Sequence, residues 1–182
     1  MQCIILSGSR NPAGQTAKAA QALLQGWKER GGQGEIIFLP TRHLERCRQC
    51  EDDGWGICRS EGRCIIQDDF ANLVAQIKAA DLAVFATPVY FGDLSESLRA
   101  FTDRLRRICM HDAGRAGIAD KRAVGLCVAG GGGGGGPTCA VSLERVLRTC
   151  GFDLVDVLPL RRQNLAAKLP ILEATGRWLA EA

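Results

Sequence analysis

Apolar positions in the first half of the chain follow two spacings in turn, one typical of strands and one typical of helices. A short apolar run over residues 2–7 is followed by apolar residues at helical spacing, which stop at Gly31. A β-branched and aromatic run covers residues 35–39, and a second helical stripe begins after Asp68-Asp69. The pattern predicts two strand and helix units, with a long polar loop between the second strand and its helix.

The second half of the chain continues this alternation. We predict a buried strand over residues 82–87 and a helix opened by Asp93 and Glu96, which form a variant of the capping box. Pro137 suits the first turn of the next helix, and Gly151 suits its end. The remaining predicted elements are strands over residues 123–129 and 152–158 and a last helix over residues 170–180.

Five strands that alternate with helices need crossover connections, so the sheet should be parallel and covered on both faces. We therefore predict an α/β fold with a doubly wound, five-stranded parallel sheet in three layers, α/β/α. The flavodoxin-like strand order 2-1-3-4-5 is favoured for five strands, and it places ligands beyond the carboxyl ends of the strands. The chain is predicted to form a single domain over residues 1–182, with a cysteine-rich loop at about 40–66.

Composition limits the class of protein. The 182 residues are 46% apolar and 24% charged, which fits a globular domain. The sequence has no run of eighteen apolar residues and no basic, cleavable leader at its start, so we expect a cytoplasmic protein that does not engage a membrane. The net charge of +3 does not imply nucleic acid as a partner. The basic residues after the third strand are expected to form a solvated helix face: Arg104, Arg106, Arg107, Arg115, Lys121 and Arg122.

Four of the nine cysteines, Cys47, Cys50, Cys58 and Cys64, lie within eighteen residues of a polar loop. Thiols at such spacing can converge on a soft metal centre, which makes all four candidate metal ligands. The spacing leaves zinc, an iron–sulfur cluster and a metal-free loop open, because the loop has one Cys-x2-Cys pair where a zinc ribbon has two. The other cysteines lie singly in apolar segments and are expected to be inert core residues: Cys3, Cys109, Cys127, Cys139 and Cys150.

Three further loops follow predicted strands and could carry a ligand. Residues 8–16 lead into a helix N-terminus, where hydroxyls, amides and free N–H groups suit a phosphate, although the dinucleotide glycine motif and the P-loop lysine are missing. Residues 87–93 hold two aromatic rings, which suit a planar ligand. Residues 130–136 are seven glycines, whose bare backbone permits close approach to a ligand. The alternative for residues 8–16 is an ordinary turn, and the alternative for residues 87–93 is that the two rings pack in the core. The alternative for residues 130–136 is a flexible linker.

Taken together, these motifs resemble the flavodoxin-like NAD(P)H-dependent FMN reductases, and in particular their iron–sulfur flavoprotein branch. The resemblance extends to about residue 158. Its features, in chain order, are Gly8-Ser9 with Gly14-x-Thr16, the cysteine loop ending in Asp68-Asp69, and Thr87-Pro88-Val89-Tyr90-Phe91-Gly92 continuing to Asp103-Arg104.

The chain departs from the family pattern at two places. Asn11 stands where the family's phosphate loop usually has an arginine, and Arg10 lies one position earlier. Seven residues separate Cys50 from Cys58, whereas the iron–sulfur branch keeps these two cysteines close.

The resemblance implies bound FMN, with NAD(P)H as the electron donor. It also implies that Cys47, Cys50, Cys58 and Cys64 hold a [4Fe–4S] cluster, with zinc less favoured, and that the protein is a homodimer or homotetramer. The residues that the resemblance assigns to FMN are Ser9, Asn11, Gly14, Gln15, Thr16, Pro88, Val89, Tyr90, Phe91, Gly92, Gly130 and Gly131.

The leading hypothesis is an FMN-dependent NAD(P)H oxidoreductase that passes electrons to a quinone, another small acceptor, a redox protein or an iron–sulfur cluster. No acid, base or nucleophile stands out in the sequence, so no protein residue is predicted to be catalytic. An electron carrier without substrate turnover is the alternative, although a net charge of +3 lacks the acidic field typical of such carriers. A structural or regulatory zinc module, motivated by the four thiols and the basic residues, is the third hypothesis.

Overall fold

The sheet in the computed structural model has five strands, all parallel, in the order β2-β1-β3-β4-β5. The structure describes residues 1–181. The observed order confirms the predicted doubly wound, flavodoxin-like architecture. The strands are β1 (Gln2–Ser7), β2 (Gln33–Phe38), β3 (Leu82–Pro88), β4 (Arg122–Ala129) and β5 (Asp153–Arg161).

Helices cover both faces of this sheet. The first and last long helices pack on one face, around a core that includes Trp27 and Leu172. The other three long helices pack on the opposite face, around Phe70, Phe101 and Leu143. The helices are α1 (Gln15–Glu29), α2 (Ile57–Ser60), α3 (Phe70–Ala79), α4 (Glu96–Ile108), α5 (Asp112–Arg115), α6 (Gly136–Cys150) and α7 (Leu165–Glu181).

The two central strands explain where a ligand site can form. Residues 3–7 of β1 and residues 82–87 of β3 are buried throughout, because both faces of a parallel sheet are covered and its strands read as continuous apolar runs. From β1 the chain moves outward to β2, and it then returns to β3 on the other side of β1. The connections after β1 and β3 therefore diverge, which opens a crevice at the carboxyl ends of these strands.

Two helix starts differ from the prediction. Ser95 is the N-cap residue of α4 and Glu96 is the first helical residue, so the predicted capping box of Asp93 and Glu96 is wrong. The Asp93 carboxylate instead accepts a hydrogen bond from the N–H of Leu94 at 2.8 Å. The last helix begins at Leu165 rather than at Pro170, because burial of the Leu165 side chain in the core outweighs the one backbone hydrogen bond that a proline removes.

The expectation of a uniformly solvated basic face is also wrong. Arg104 is buried at 1% exposure, and Arg107 is half-buried, whereas Arg115 is exposed. Arg104 can be buried because the Asp68 carboxylate neutralises its charge. Among residues 1–181, no helix combines the length and apolar character that crossing a membrane requires.

Candidate functional site

A cavity of about 430 Å³ lies at the carboxyl ends of β1, β3 and β4. This volume lies in the range of about 300–1,000 Å³ that is typical of small-molecule sites. The cavity occupies the crevice at which the strand order reverses, where doubly wound folds bind their ligands. Its lining residues are Ser9, Gln15, Thr16, Pro88, Val89, Tyr90, Val128 and Gly130 to Gly134.

The connection after β1 delivers polar groups and a helix N-terminus to this cavity. Ser9 Oγ accepts from the Asn11 N–H at 3.3 Å, and Asn11 Oδ1 accepts from the Ala13 N–H at 2.9 Å, so the loop is held by its own side chains. Gly14 is the N-cap residue of α1, and no side chain of the described residues caps that end. The first N–H groups of α1 therefore remain free to bind an anion beside Gln15 and Thr16.

A glycine is required at the first residue of this loop. A Cβ on Gly8 would clash with the Oγ of Ser95, the N-cap residue of α4. The absence of a side chain lets the start of α4 approach the loop closely. Thr87 Oγ1 accepts from the Ser95 N–H at 3.0 Å, which fixes the same helix end to the carboxyl end of β3.

The connection after β3 forms a tight two-residue turn. The N–H of Tyr90 donates to the carbonyl of Asp93 at 3.0 Å, and the N–H of Asp93 donates back at 2.9 Å. Both central residues have positive φ, 49° at Phe91 and 77° at Gly92, as expected for a type I′ turn. The turn places the Tyr90 ring at the rim of the cavity and leaves the Phe91 side chain fully exposed.

The glycine run forms one wall of the cavity as bare backbone. The Gly133 N–H donates to the Gly130 carbonyl at 2.7 Å, which folds the run into a turn. A Cβ on Gly130, Gly131 or Gly132 would have no described atom within 4 Å, so side chains there would project into open space at the site. Because glycine has no side chain, this wall leaves the space free for a flat, ring-sized ligand, and the residues of the cavity therefore fit FMN.

Two residues beyond β5 also hold the glycine run, and sequence analysis did not identify them. Gln163 Nε2 donates to the Gly131 carbonyl at 2.8 Å, and Arg162 Nη2 lies 3.5 Å from the same oxygen. They occupy a short 3₁₀ turn between β5 and α7. The sequence signal that could have identified them is a pair of polar residues directly after the last strand, because the carboxyl ends of parallel strands lie at the same edge of the sheet.

The structure brings most, but not all, of the residues assigned to FMN to this cavity. Asn11 and Gly14 form the turn before α1 and do not line the cavity. Phe91 and Gly92 form the turn after β3 and do not line it either. Arg10 is exposed and lines a neighbouring cavity instead. The assigned residues that do line the cavity are Ser9, Gln15, Thr16, Pro88, Val89, Tyr90, Gly130 and Gly131.

The four clustered cysteines line a second, smaller cavity, between the cysteine loop and α4. The other walls are formed by the guanidinium groups of Arg104 and Arg107 and by apolar side chains such as Ile66 and Ile108. All four cysteines therefore lie around the same small cavity. The space between them is about 20 Å³, which is enough for about one water molecule. A larger group requires this loop to move outward.

A buried ion pair fixes the start of the cysteine loop. Asp68 Oδ2 accepts from the Glu45 N–H at 2.8 Å, while Arg104 Nη1 donates to the Glu45 carbonyl at 3.0 Å. Burial by itself would lower the pKa of the Arg104 guanidinium, but hydrogen bonding to Asp68 and the nearby Cys64 thiol raise it above its ordinary value. Arg104 is therefore a permanent cation beside the thiols.

The seven residues between Cys50 and Cys58 fold back onto α4. Gly54 has φ of 75° and its N–H donates to the Glu51 carbonyl at 2.7 Å, which closes a turn. A Cβ on Gly56 would lie 3.1 Å from the Cβ of Cys50, so this glycine lets the returning chain pass close to that cysteine. The long spacer thus returns Cys58 to the cavity that Cys50 lines.

The side chains around the cysteine cavity suit a sulfur-rich anionic group in their chemistry. Within residues 1–181, no three His, Cys, Asp or Glu side chains converge closely enough to chelate one metal ion. The Nε–H groups of Arg104 and Arg107 are buried and have no acceptor among the described residues. Four thiols beside two arginine N–H groups without acceptors match the chemistry of an iron–sulfur cluster, because such a cluster is anionic and its sulfur atoms accept hydrogen bonds.

The five single cysteines are all buried, as predicted for core residues. Burial raises the pKa of the Cys3 thiol to about 12. A thiol that stays protonated is a poor nucleophile and a poor metal ligand, which supports an inert role for Cys3.

Comparison with known proteins gives relatives that match half of the chain or more. An iron–sulfur flavoprotein of Methanocaldococcus jannaschii is 33% identical over 129 residues, which cover 71% of this chain and 61% of the relative. An iron–sulfur flavoprotein of Methanosarcina thermophila is 32% identical over 99 residues, which cover 54% of this chain and 49% of the relative. The chain thus spans about half to three fifths of the length of these relatives.

Solved structures and family models agree with the observed fold. The NAD(P)H:quinone oxidoreductase from Methanothermobacter marburgensis superposes with a TM-score of 0.69 at 20% identity, over 98% of this chain and 96% of that protein. The model of the family described as NADPH-dependent FMN reductase matches residues 1–161. The chain therefore belongs to the NADPH-dependent FMN reductase family.

Proposed function

We propose that this chain is an FMN-dependent NAD(P)H oxidoreductase that passes electrons to a quinone, another small acceptor or an iron–sulfur cluster. The observation that carries the proposal is the cavity at the carboxyl ends of β1, β3 and β4, walled by glycine backbone on one side and by a helix N-terminus on the other. Membership of the FMN reductase family supports it.

The two ends of the cavity suit the two ends of FMN. The free N–H groups of the first turn of α1, with Ser9, Gln15 and Thr16, would bind the phosphate, since a helix N-terminus attracts an anion. The backbone of Gly130 and Gly131 and the Tyr90 ring would enclose the isoalloxazine ring. These groups orient the ring and exclude water from one of its faces.

The protein contributes binding and orientation rather than acid or base chemistry. Among the described residues that line the cavity, Tyr90 is the one with an ionisable side chain, and the others are glycine, aliphatic, hydroxyl and amide residues. When bound, FMN supplies a hydride-accepting ring that can release its electrons singly or in pairs. We therefore propose that no side chain of this site is catalytic.

We further propose that Cys47, Cys50, Cys58 and Cys64 hold a [4Fe–4S] cluster. The four thiols line one cavity together with two arginines, and two relatives of this chain are named iron–sulfur flavoproteins. A cluster would supply one-electron transfer. Zinc is less favoured, because the loop has one Cys-x2-Cys pair where a zinc ribbon has two.

We also propose that two or four copies assemble, with the rim of the flavin cavity at a contact between subunits. Phe91 is fully exposed in a strained left-handed conformation, and Tyr90 beside it is half-exposed. A second subunit would cover this apolar rim. Sedimentation velocity of the FMN-loaded protein measures the assembly, and a monomer at micromolar concentration would contradict it.

One set of measurements tests the proposed activity. Apoprotein is titrated with FMN, and the loaded protein is mixed with NADPH or NADH and a quinone while nicotinamide oxidation is followed. The expected result is saturable quenching of flavin fluorescence and steady oxidation of at least one nicotinamide. Binding of FMN without turnover would instead indicate an electron carrier, and stoichiometric zinc without flavin would indicate a zinc module.

A further inference from the structure

Arg107 joins α4 to the seven-residue spacer of the cysteine loop, defined as residues 51–57. Its Nη1 donates to the Gly54 carbonyl at 2.6 Å. Its guanidinium carbon lies 4.6 Å from the centroid of the Trp55 ring, in a cation–π contact. These two contacts hold the spacer folded against the helix, and with it the return path from Cys50 to Cys58.

The same side chain also faces the four thiols. Arg107 lines the cysteine cavity, and its Nε–H is buried without an acceptor among the described residues. A buried donor without a partner costs about 1–3 kcal/mol, so this group gains when an acceptor occupies the cavity. One guanidinium therefore meets the spacer on one side and lies beside the cysteine cavity on the other.

We propose that Arg107 is a positioning residue of the cysteine site, which keeps the spacer closed and places a positive charge and an N–H donor beside the sulfur atoms of the cluster. This inference rests on the proposed [4Fe–4S] cluster. Arg107 thereby controls how tightly the cluster is retained and how easily it is reduced. The spacer between Cys50 and Cys58 is held against α4 by this arginine.

The expected effect on reduction follows from electrostatics. Each reduction adds one negative charge to the cluster, and a neighbouring cation in a partly buried site stabilises that charge. Removal of the cation therefore makes the reduction potential more negative. Loss of the contacts to Gly54 and Trp55 has a separate effect, because a loosened spacer exposes the cluster to solvent and chelators.

The test uses the full chain reconstituted anaerobically with ferrous iron and sulfide. Wild type is compared with Arg107→Gln, which removes the charge, and with Arg107→Lys, which keeps the charge but loses the planar fork. The readouts are iron and acid-labile sulfide per chain, the rate of iron loss to a chelator, and the midpoint potential from a dye-mediated titration. The matched control is Arg106→Gln, a neighbouring arginine that pairs with Asp103 at 3.1 Å on the outer side of α4.

We expect Arg107→Gln to lose iron about 10- to 100-fold faster than wild type, as found for outer-shell partners of metal ligands. Its one-electron reduction should become less favourable by about tenfold, equivalent to about 59 mV, whereas Arg106→Gln matches wild type. Arg107→Lys should restore the potential but not the slow iron loss. FMN binding is the folding control, because Arg107 does not line the flavin cavity.

Two outcomes separate the inference from the proposed function. If wild type retains iron and sulfide and Arg107→Gln behaves like Arg106→Gln, the role of Arg107 is wrong and the cluster stands. If wild type retains neither iron nor sulfide, the cluster proposal fails and the inference fails with it, while the flavin activity remains to be judged by its own assay.

Discussion

The Asp68 carboxylate and the Arg104 guanidinium form a two-pronged ion pair, with Nη1–Oδ2 and Nη2–Oδ1 distances of 2.6 and 2.8 Å. Their side chains are 0% and 1% exposed. Between them they satisfy both backbone groups of Glu45, two residues before Cys47, the first of the clustered cysteines. A charge pair removed from water in this way makes each partner depend on the other.

Asp68→Asn should therefore destabilise the protein by about 3–5 kcal/mol, because it leaves the Arg104 charge buried without a counter-charge. Asp103→Asn is the matched control, since Asp103 pairs with Arg106 on the surface of the same helix. Surface pairs contribute about 0–1 kcal/mol, so this variant should stay close to wild type. Urea unfolding measures both free energies, and equal losses in the two variants would contradict the assignment.

The stabilisation by Asp68 should depend on pH in the acid range. Burial alone would raise the pKa of the Asp68 carboxyl, but hydrogen bonds from Arg104 and from the N–H groups of Glu45 and Phe70 hold it below its ordinary value. A lowered pKa in the folded state stabilises the protein above the unfolded pKa of about 3.9, and this contribution disappears as the pH falls through the folded value.

The difference in unfolding free energy between wild type and Asp68→Asn should thus be constant from pH 7 to about 5 and shrink below about pH 4. Subtraction of the two variants removes the contribution of other carboxylates, including Asp93, whose pKa is also lowered. Urea titrations at a series of pH values give this difference directly. A difference that grows on acidification would show that the sign is wrong.

Gly135→Ala should destabilise the flavin-free protein by about 1–2 kcal/mol or more, since Gly135 has φ of 78° and a left-handed alanine carries this penalty. Its new Cβ would also lie 2.8 Å from the Cα of Gly92. Gly132→Ala is the control, because it lies in the same run and its Cβ meets no described atom within 4 Å. Thermal unfolding of the two apoproteins compares them, and equal melting temperatures would contradict the prediction.

Gly130→Val should leave the fold intact and weaken FMN binding by about tenfold or more, a loss of about 1.4 kcal/mol or above. The new side chain would enter open space at the wall of the flavin cavity, where it competes with the ligand. Ala71→Val, on an exposed position of α3, adds a similar branch far from the site. Fluorescence titration with FMN measures both variants, and unchanged affinity in Gly130→Val would place the ring elsewhere.

Local patterns were sufficient to predict the sheet and the edge that carries the site. The apolar runs of β1 and β3 are continuous because both faces of the sheet are covered, and that signal is present in the sequence itself. The loops that follow these strands must meet at the carboxyl edge of a parallel sheet, so the sequence places residues 8–16, 87–93 and 130–136 at one edge. The resemblance to the FMN reductases then assigns Ser9, Pro88 and Gly130 to one ligand.

Periodicity and motif spacing, then, determined the strand order, the location of the cavity and the four candidate thiols. Tertiary structure alone decided that Arg104 is buried, that Arg107 holds the spacer and that Gln163 supports the glycine run. These contacts join residues 36, 53 and 32 positions apart. No local pattern encodes such pairs. The free-energy cost of burying a charged or polar group depends on its partner, and the packing of distant elements decides which partner lies within reach.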